Sequence, residues 1–366
     1  MKNTVLKVVR KSLIATGVAK RLANSVTFPE AIEIGVNKDK IVIRLSAKAI
    51  GMSDTSWFAS NMQKDDAAFE GWAFLIYAHY AKNKGFSTVE LDLTEDACTQ
   101  IEMICKYKVG YTGGTRLHYN RFLYRALRFS QQYKEWFALS ACLQPYINEF
   151  EAYLKSPDLV FTNSIPKLEM RSKRTLNPDK ITEKDVEDVF MNYYWQQEQG
   201  ANFCKKYGGR LHRELPTGLF EGVRAFESRA IFPIHNSTID LWSCDENKLN
   251  VFELKYDNKM IGIITELFFY TNYMRDMFCR GRAINFLRQR SRELGFRGYM
   301  HLEKASFAKV NGYMLYDKGN LHQAITNEVI DLMNKADFSD ASDYTITYGK
   351  IEYEVLFDKG VLVYVK

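Results

Sequence analysis

Asp240, Glu253 and Lys255 sit on two short runs, S-T-I-D-L-W and N-V-F-E-L-K, joined by the polar stretch S-C-D-E-N-K-L. Alternation of apolar and polar residues on both sides of a turn rich in Asp, Asn and Lys is the pattern of a β-hairpin. A turn centred near Glu246 and Asn247 puts Asp240 opposite Glu253. Side chains alternate across a strand, so Asp240, Glu253 and Lys255 share one face, while Ile239, Leu241, Phe252 and Leu254 share the other. Chemistry is expected on one side and core on the other. Two carboxylates one strand apart suit a hard divalent cation such as Mg²⁺, and a lysine beside them can orient a water that the cation has made acidic.

An E-x-K triplet also occurs as Glu246-Asn247-Lys248, but among the solvated residues of the turn; only Glu253-x-Lys255 is embedded in an apolar strand. After Asp257-Asn258-Lys259 a helical pattern starts near Met260 and runs to Phe278. It places Glu266 and Tyr270, four residues apart, on one face.

In this order, Asp240, Glu253-x-Lys255 and the helix reading Glu266-Leu267-Phe268-Phe269-Tyr270, the segment resembles the PD-(D/E)XK nuclease superfamily, and within it the RecB-type branch. That branch carries Q-x-x-x-Y on the helix, and here Glu266 stands where glutamine is usual; Ile239 stands where a proline often precedes the aspartate. The resemblance covers roughly Thr182 to Lys335. It implies an α/β fold (α+β overall) with a restriction-endonuclease-like core, a mixed central sheet flanked by helices. It also implies a Mg²⁺- or Mn²⁺-dependent phosphodiesterase. Asp240 and Glu253 would bind the metal together with the Leu254 carbonyl, Lys255 would orient water or stabilise the oxyanion, and Glu266 and Tyr270 would complete the pocket. DNA is the substrate favoured over RNA, in a setting such as phage defence or DNA repair, and a homodimer would suit double-strand cleavage. The alternatives are an RNA nuclease and a catalytically silent nucleic-acid-binding protein that keeps the fold. Some members supply a further acid upstream of the hairpin. Glu187, Glu198, Glu214 and Glu221 qualify, and Glu221 is chosen as the nearest in sequence.

Two groups of arginines could meet a polyanion. On a long helix expected from about Thr115 to Phe137, Arg121, Arg125 and Arg128 form a row beside Phe122, Phe129 and Tyr133. Either the arginines point to water while the aromatics face the core, or the row is a phosphate-contacting face with Arg116 and His118 near its start. Behind the Glu266 helix, Arg280, Arg282, Arg288, Arg290, Arg292 and Arg297 crowd eighteen residues in which Glu293 is the sole acid. That run reads either as a solvated helix face or as a phosphate-binding surface.

The elements that must position these residues follow from patterning. Before the hairpin, a helix from Thr182 toward Lys206 starts with Thr182 as cap and Asp185 three residues later. After it, a strand near Val310–Tyr316, a helix over Leu321–Lys335 and a meander of three short runs (Tyr344–Tyr348, Ile351–Phe357, Val361–Val365) complete the unit. The first half reads as a hairpin at residues 33–45, a helix from about Asp66 to Lys84, a strand Thr88–Leu93, the long arginine helix and a helix at Leu143–Leu154. The Gly113-Gly114 pair lacks the strand and spacing of a phosphate loop and reads as a turn. The domain organisation expected is therefore an N-terminal α+β domain over residues 1–156, a basic, proline-containing linker over 157–181, and a nuclease-like domain over 182–366.

Composition sets the outer bounds. With 366 residues and 46% hydrophobic content, the chain can build sizeable cores, and seven prolines without a low-complexity tract argue against long disorder. A net charge of +6 permits a polyanionic partner without requiring one. Six cysteines show no C-x-x-C pair and no ligand spacing with the histidines, so they read as reduced thiols. No apolar run reaches membrane-spanning length, and Met1–Arg21 lacks the continuous apolar region of a secretion signal. A cytoplasmic protein without a membrane partner is expected.

Overall fold

A computed structural model describes residues 1–50, 62–106, 114–164, 179–192, 198–233, 237–280, 284–287, 299–303, 306–339, 344–356 and 362–365. The strands are β1 (Ile32–Asn37), β2 (Lys40–Leu45), β3 (Thr88–Leu93), β4 (Phe137–Leu139), β5 (Phe161–Asn163), β6 (His212–Pro216), β7 (Leu219–Glu221), β8 (Thr238–Cys244), β9 (Lys248–Lys255), β10 (Lys309–Asp317), β11 (Thr345–Leu356) and β12 (Leu362–Val365). The α-helices are α1 (Lys2–Ala15), α2 (Lys20–Ser25), α3 (Phe69–Ile76), α4 (Lys82–Lys84), α5 (Glu95–Lys106), α6 (Gly114–Gln132), α7 (Gln144–Leu154), α8 (Glu183–Asn192), α9 (Glu198–Lys206), α10 (Gly262–Phe278), α11 (Tyr299–Glu303) and α12 (Asn327–Met333).

The fold is mixed α/β. Its larger sheet has the order β12-β11-β10-β9-β8-β6, its smaller one β1-β2-β3-β4, and β5 pairs with β7 apart from both. In the larger sheet β6–β8, β8–β9 and β11–β12 are antiparallel, whereas β9–β10 and β10–β11 are parallel. Parallel neighbours need a crossover, and α10 and α12 supply the two required here. The β8–β9 register pairs Leu241 with Phe252 and Cys244 with Leu249. That is the register expected of a turn at Glu246 and Asn247, which the Asp245 carboxylate closes by accepting the N–H groups of Asn247 and Lys248.

One expectation about this hairpin changes. Both faces of β9 are covered, and the strand is buried from Leu249 to Lys255. Leu241, Phe252 and Leu254 join a smaller cluster with Val186, Phe190, Phe203 and Tyr207 of the α8–α9 side, while Trp242, Leu249 and Val251 belong to the larger core that contains α10. Ile239 joins that larger core too. The face that carries Asp240, Glu253 and Lys255 is therefore not a solvent face. It looks toward α10, whose seventeen residues are all buried, as a helix enclosed on every side must be.

The larger core runs from Val5 to Tyr348 and includes α3, α6 and α10 together. The two expected halves share it. Within the expected linker, Phe161–Asn163 is a buried strand paired with β7; residues 165–178 lie outside the described residues. Three boundaries also differ. The arginine helix, expected to reach Phe137, ends at Gln132, and Phe137 opens a strand that pairs in parallel with β3. The expected helix over Leu321–Lys335 shortens to α12. Two of the three terminal runs are one strand, β11, since Gly349 is not a turn but the position where the strand passes under the Tyr313 ring. No helix among the described residues is long and apolar enough to cross a membrane.

The start of α10 is held by the first half. The Asp65 carboxylate accepts the Ile261 N–H at 3.0 Å, and a Cβ added to Gly262 would collide with the backbone of Gln63. Gly262→Ala is accordingly expected to cost about 1–3 kcal/mol through overpacking against backbone that cannot step aside. Urea unfolding of the variant checks this, and an unshifted midpoint would show that the approach is not tight.

Candidate active site

Each residue of the hairpin motif is placed by backbone it cannot easily leave. Asp240 and Glu253 lie on neighbouring antiparallel strands, and the Leu254 N–H donates to Asp240 Oδ2 at 2.9 Å. Leu254 thus fixes a carboxylate through its N–H, a contribution that spacing alone does not suggest. Lys255, two residues beyond Glu253 and on the same face, donates from Nζ to Glu253 Oε1 at 2.6 Å. From the opposite side α10 brings Glu266, whose Oε2 lies 3.0 Å from Lys255 Nζ. That contact is ionic and lacks the direction of a hydrogen bond. Tyr270, one turn further along α10, is buried beside the same carboxylates. The structure brings together Asp240, Glu253, Lys255, Glu266 and Tyr270.

It adds one residue that the sequence reading passes over. Glu183 opens α8, a helix start fixed by the Asp185 carboxylate, which accepts both the N–H and the hydroxyl of Thr182. The Glu183 Oε1 atom stands 3.8 Å from Lys255 Nζ. The side chain of Glu183 keeps 31% of its exposure, against 4% for Lys255 and 2% for Glu253. Approach to the cluster is therefore from the side of Glu183 and the half-buried Asp240.

Glu221, chosen as the upstream acid, lies elsewhere. It accepts the Tyr153 hydroxyl at 2.6 Å and lines a cleft of about 180 Å³ with Arg116, Asn120 and Arg229. Nearness in sequence does not place Glu221 at the cluster, because its strand β7 pairs with β5 outside the larger sheet. It is the first residue of α8, packed under the sheet, that reaches Lys255.

Three of the carboxyls around the one ammonium hold their protons above the ordinary carboxylate range. Burial pushes Asp240 up, against the opposing pull of Lys255 and the Leu254 N–H. Glu253 is pushed well above the carboxylate range by burial first, then by Asp240 and Glu266. Glu183 rises to about 7, again mainly through burial, with Asp240 and Glu266 adding and Lys255 opposing. For Lys255, burial alone would lower the pKa, but Glu253, Glu266 and Asp240 outweigh it and hold the group well above an ordinary lysine. Lys255 is an ammonium at any physiological pH.

A carboxyl whose folded pKa exceeds its unfolded value keeps a proton that the unfolded chain has released. Stability is then greatest below the unfolded value and declines as pH rises through the window, which for Glu183 runs from 4.5 to about 7. Glu183→Gln is expected to flatten that decline, measured as the urea midpoint of the cation-free protein at the two ends of the window. Equal declines in both proteins would remove Glu183 from the coupled cluster.

The cluster holds the residue types that a hard divalent cation takes, without a ready cage for one among the described residues. Glu253 Oε2 and Glu266 Oε2 are buried and accept no hydrogen bond, and only the second has an ionic partner, Lys255 Nζ at 3.0 Å. Unsatisfied buried carboxylate oxygens are the donor set that Mg²⁺ or Mn²⁺ takes. Among the described residues no group of three or more His, Cys, Asp or Glu is arranged as a ready ligand set. Here the Lys255 ammonium occupies the space between the carboxylates, so cation binding requires Lys255 to draw back from Glu253.

No protein-family model matches the chain, and no curated protein and no solved structure is significantly similar. Any functional reading rests on the site itself.

The arginines divide. Arg125 donates to both oxygens of Glu70 and to the Ala67 carbonyl, and Arg128 donates to Asp276 Oδ2. Both are buried ion pairs tying α6 to α3 and to α10. They are neither solvated nor available to phosphate, because the acids that neutralise them come from elements the helix pattern does not show. Arg121 is also buried, with Nη2 3.1 Å from His118 Nδ1. Arg280 is exposed and contacts the Ser306 carbonyl and the Asn247 side chain. Arg282, Arg288, Arg290, Arg292 and Arg297 lie outside the described residues.

Proposed function

We propose that this protein is a divalent-cation-dependent nuclease of the PD-(D/E)XK type. The observation that carries the reading is the convergence of Asp240, Glu253 and Lys255 from one hairpin with Glu266 from the next helix, with two buried carboxylate oxygens that accept no hydrogen bond. The sheet supports it as well. Three antiparallel strands (β6, β8, β9), a crossover helix (α10) and a parallel fourth strand (β10) are compatible with a restriction-endonuclease-like core.

Asp240, Glu253, Glu266 and Glu183 would hold the cation, Mg²⁺ or Mn²⁺. When bound, it supplies a Lewis acid that acidifies water and offsets the charge building on the phosphoryl oxygens. The chain's own residues supply the rest. The Leu254 N–H keeps the Asp240 carboxylate in one orientation. Lys255, permanently charged, orients the attacking water and stabilises the developing oxyanion once drawn back from Glu253. Tyr270, a neutral phenol whose pKa burial raises well above its usual value, packs beside Glu266 and keeps bulk water from the inner wall. Water oxygen forms the new bond to phosphorus as the bridging P–O bond breaks, and the leaving oxygen ends protonated.

DNA is the proposed substrate, on the resemblance of the hairpin and helix motifs. A silent nucleic-acid-binding protein is the second reading, favoured by the Lys255 ammonium filling the cluster. Incubating the full chain with linear, nicked and single-stranded DNA and with RNA, in Mn²⁺ and in chelator, separates them. Cation-dependent shortening of DNA is expected; binding without shortening in any metal would leave only the silent reading.

A further inference from the structure

Arg116, Asn120, Tyr153, Glu221, Glu227 and Arg229 line a cleft of about 180 Å³ that includes none of the cluster's carboxyls. Its walls are fixed. The Tyr153 hydroxyl donates to Glu221 at 2.6 Å, and Asn120 Nδ2 donates to the Ile231 carbonyl at 3.2 Å. Beyond Glu221 the chain turns at Gly222, where φ is +100°, and Arg229 Nη1 stands 3.0 Å from the point a Cβ would occupy. A side chain there would displace the guanidinium and strain the turn. A short 3-10 turn at Glu227–Arg229 closes the loop, with Phe220 bridging to Ala230 and the Ile231 N–H donating to the Leu219 carbonyl at 2.7 Å. Phe226, which opens that turn, is nonetheless 52% exposed. A ring held in water by ordered backbone is a ready stacking platform.

The cleft is docked on the helix that carries Glu266. Glu266, Phe269, Tyr270 and Tyr273 recur at i, i+3, i+4 and i+7 and share one face of α10. Phe232, next to the lining residue Ile231, packs its ring 5.6 Å from that of Phe269, and the Tyr273 hydroxyl donates to the Gly218 carbonyl at 3.2 Å. At a rise of about 1.5 Å per residue, these anchors stand roughly 5–10 Å along the helix axis from Glu266. A strand held in the cleft is therefore only a few nucleotides from the carboxylates, at about 3.4 Å per nucleotide.

The lining selects the ligand. Two arginines are matched by two glutamates, so the cleft is not a simple anion hole. It offers donors from Arg116 and Arg229 and acceptors from Glu221 and Glu227 together, the mixture that the edge of a nucleobase needs. We propose that the cleft takes one base of an unpaired strand, stacked on Phe226 at its rim, and that single-stranded or frayed DNA is the form of substrate presented to the cluster. A base inside a duplex has its pairing edge occupied and its faces stacked, so it does not enter. The inference rests on the nucleic-acid reading above.

The measurement is fluorescence anisotropy of a labelled single strand and of the matching duplex, each titrated with the full chain in chelator at fixed ionic strength, so that no cation-dependent cleavage intervenes. The parent is expected to bind the single strand more tightly. Phe226→Ala removes an exposed ring and no charge; it should weaken single-strand binding about tenfold and change duplex binding less than about twofold. Phe226→Trp, which keeps a stacking face, should hold the parent affinity. Arg229→Met should weaken single-strand binding by a factor similar to that of Phe226→Ala. Unchanged single-strand affinity in either Phe226→Ala or Arg229→Met, or an equal loss on both forms of DNA, overturns the proposal. A parent that binds neither form overturns the nucleic-acid reading on which the proposal rests.

Discussion

Asp240→Asn is expected to reduce cation-dependent DNA cleavage by about 10²–10³-fold or more while leaving the folded state intact. The asparagine carbonyl oxygen can still accept the Leu254 N–H that holds this side chain at 2.9 Å, so the hairpin keeps its geometry. What is lost is one negative charge from the approachable side of the cluster. Lys255→Met should lose a similar factor for the opposite reason. It removes the ammonium that contacts Glu253, Glu266 and Glu183 and leaves their carboxyls without compensation. The two variants differ in stability as well as in rate. With Asp240 neutral, burial no longer penalises a charged carboxylate there, so the melting temperature should hold or rise. With Lys255 gone, the remaining acids must keep protons, and the melting temperature should fall as pH increases. Single-turnover cleavage in Mn²⁺, measured beside thermal melts, reads both. An Asp240→Asn protein that cleaves at the parent rate would place the chemistry elsewhere.

The hairpin was legible because each part of its signal is local. Alternation fixed the strands, Asp245-Glu246-Asn247 fixed the turn, and the register follows from the two. The helix carrying Glu266 and Tyr270 was legible for the same reason, as an uninterrupted apolar run after Asn258-Lys259. Glu183 was not. No spacing rule connects a helix start with a strand end so far along the chain, and the two meet only because α8 packs under β9 through Val186 and Phe190. Burial of the chemical face was equally hidden. Polar residues at alternate positions signal water in an antiparallel hairpin, but here the facing element is α10, whose Glu266 meets Lys255 of β9 and whose Thr265, Asn272 and Asp276 meet partners from α3 and α6. The same gap misled the reading of the arginines. A row of Arg on an aromatic helix looks solvated or nucleic-acid-binding until Glu70 and Asp276 are seen to face it.

Arg125→Ala is expected to cost about 3–5 kcal/mol in unfolding free energy. The Glu70 carboxylate has 0% exposed surface and takes three bonds, two from Arg125 and one from the Thr265 hydroxyl. Without the guanidinium, which also packs over the Phe69 ring, a buried charge keeps a single hydroxyl donor, and the Ala67 carbonyl loses its partner. Removing both ends is a different experiment. Arg125→Met with Glu70→Leu takes the charge out of the core altogether, leaving only the Thr265 hydroxyl to find a partner, so its cost should be less than half that of Arg125→Ala. Urea unfolding of the single and double variants gives the coupling directly. A surface role for Arg125 in holding nucleic acid makes the reverse pattern: an unshifted urea midpoint, with weaker DNA binding and a shallower salt dependence. Thr265 precedes Glu266, so the clamp that stabilises the shared core also sets where α10 delivers its carboxylate. Arg125→Ala should therefore weaken Mn²⁺ binding even under conditions where the chain remains folded.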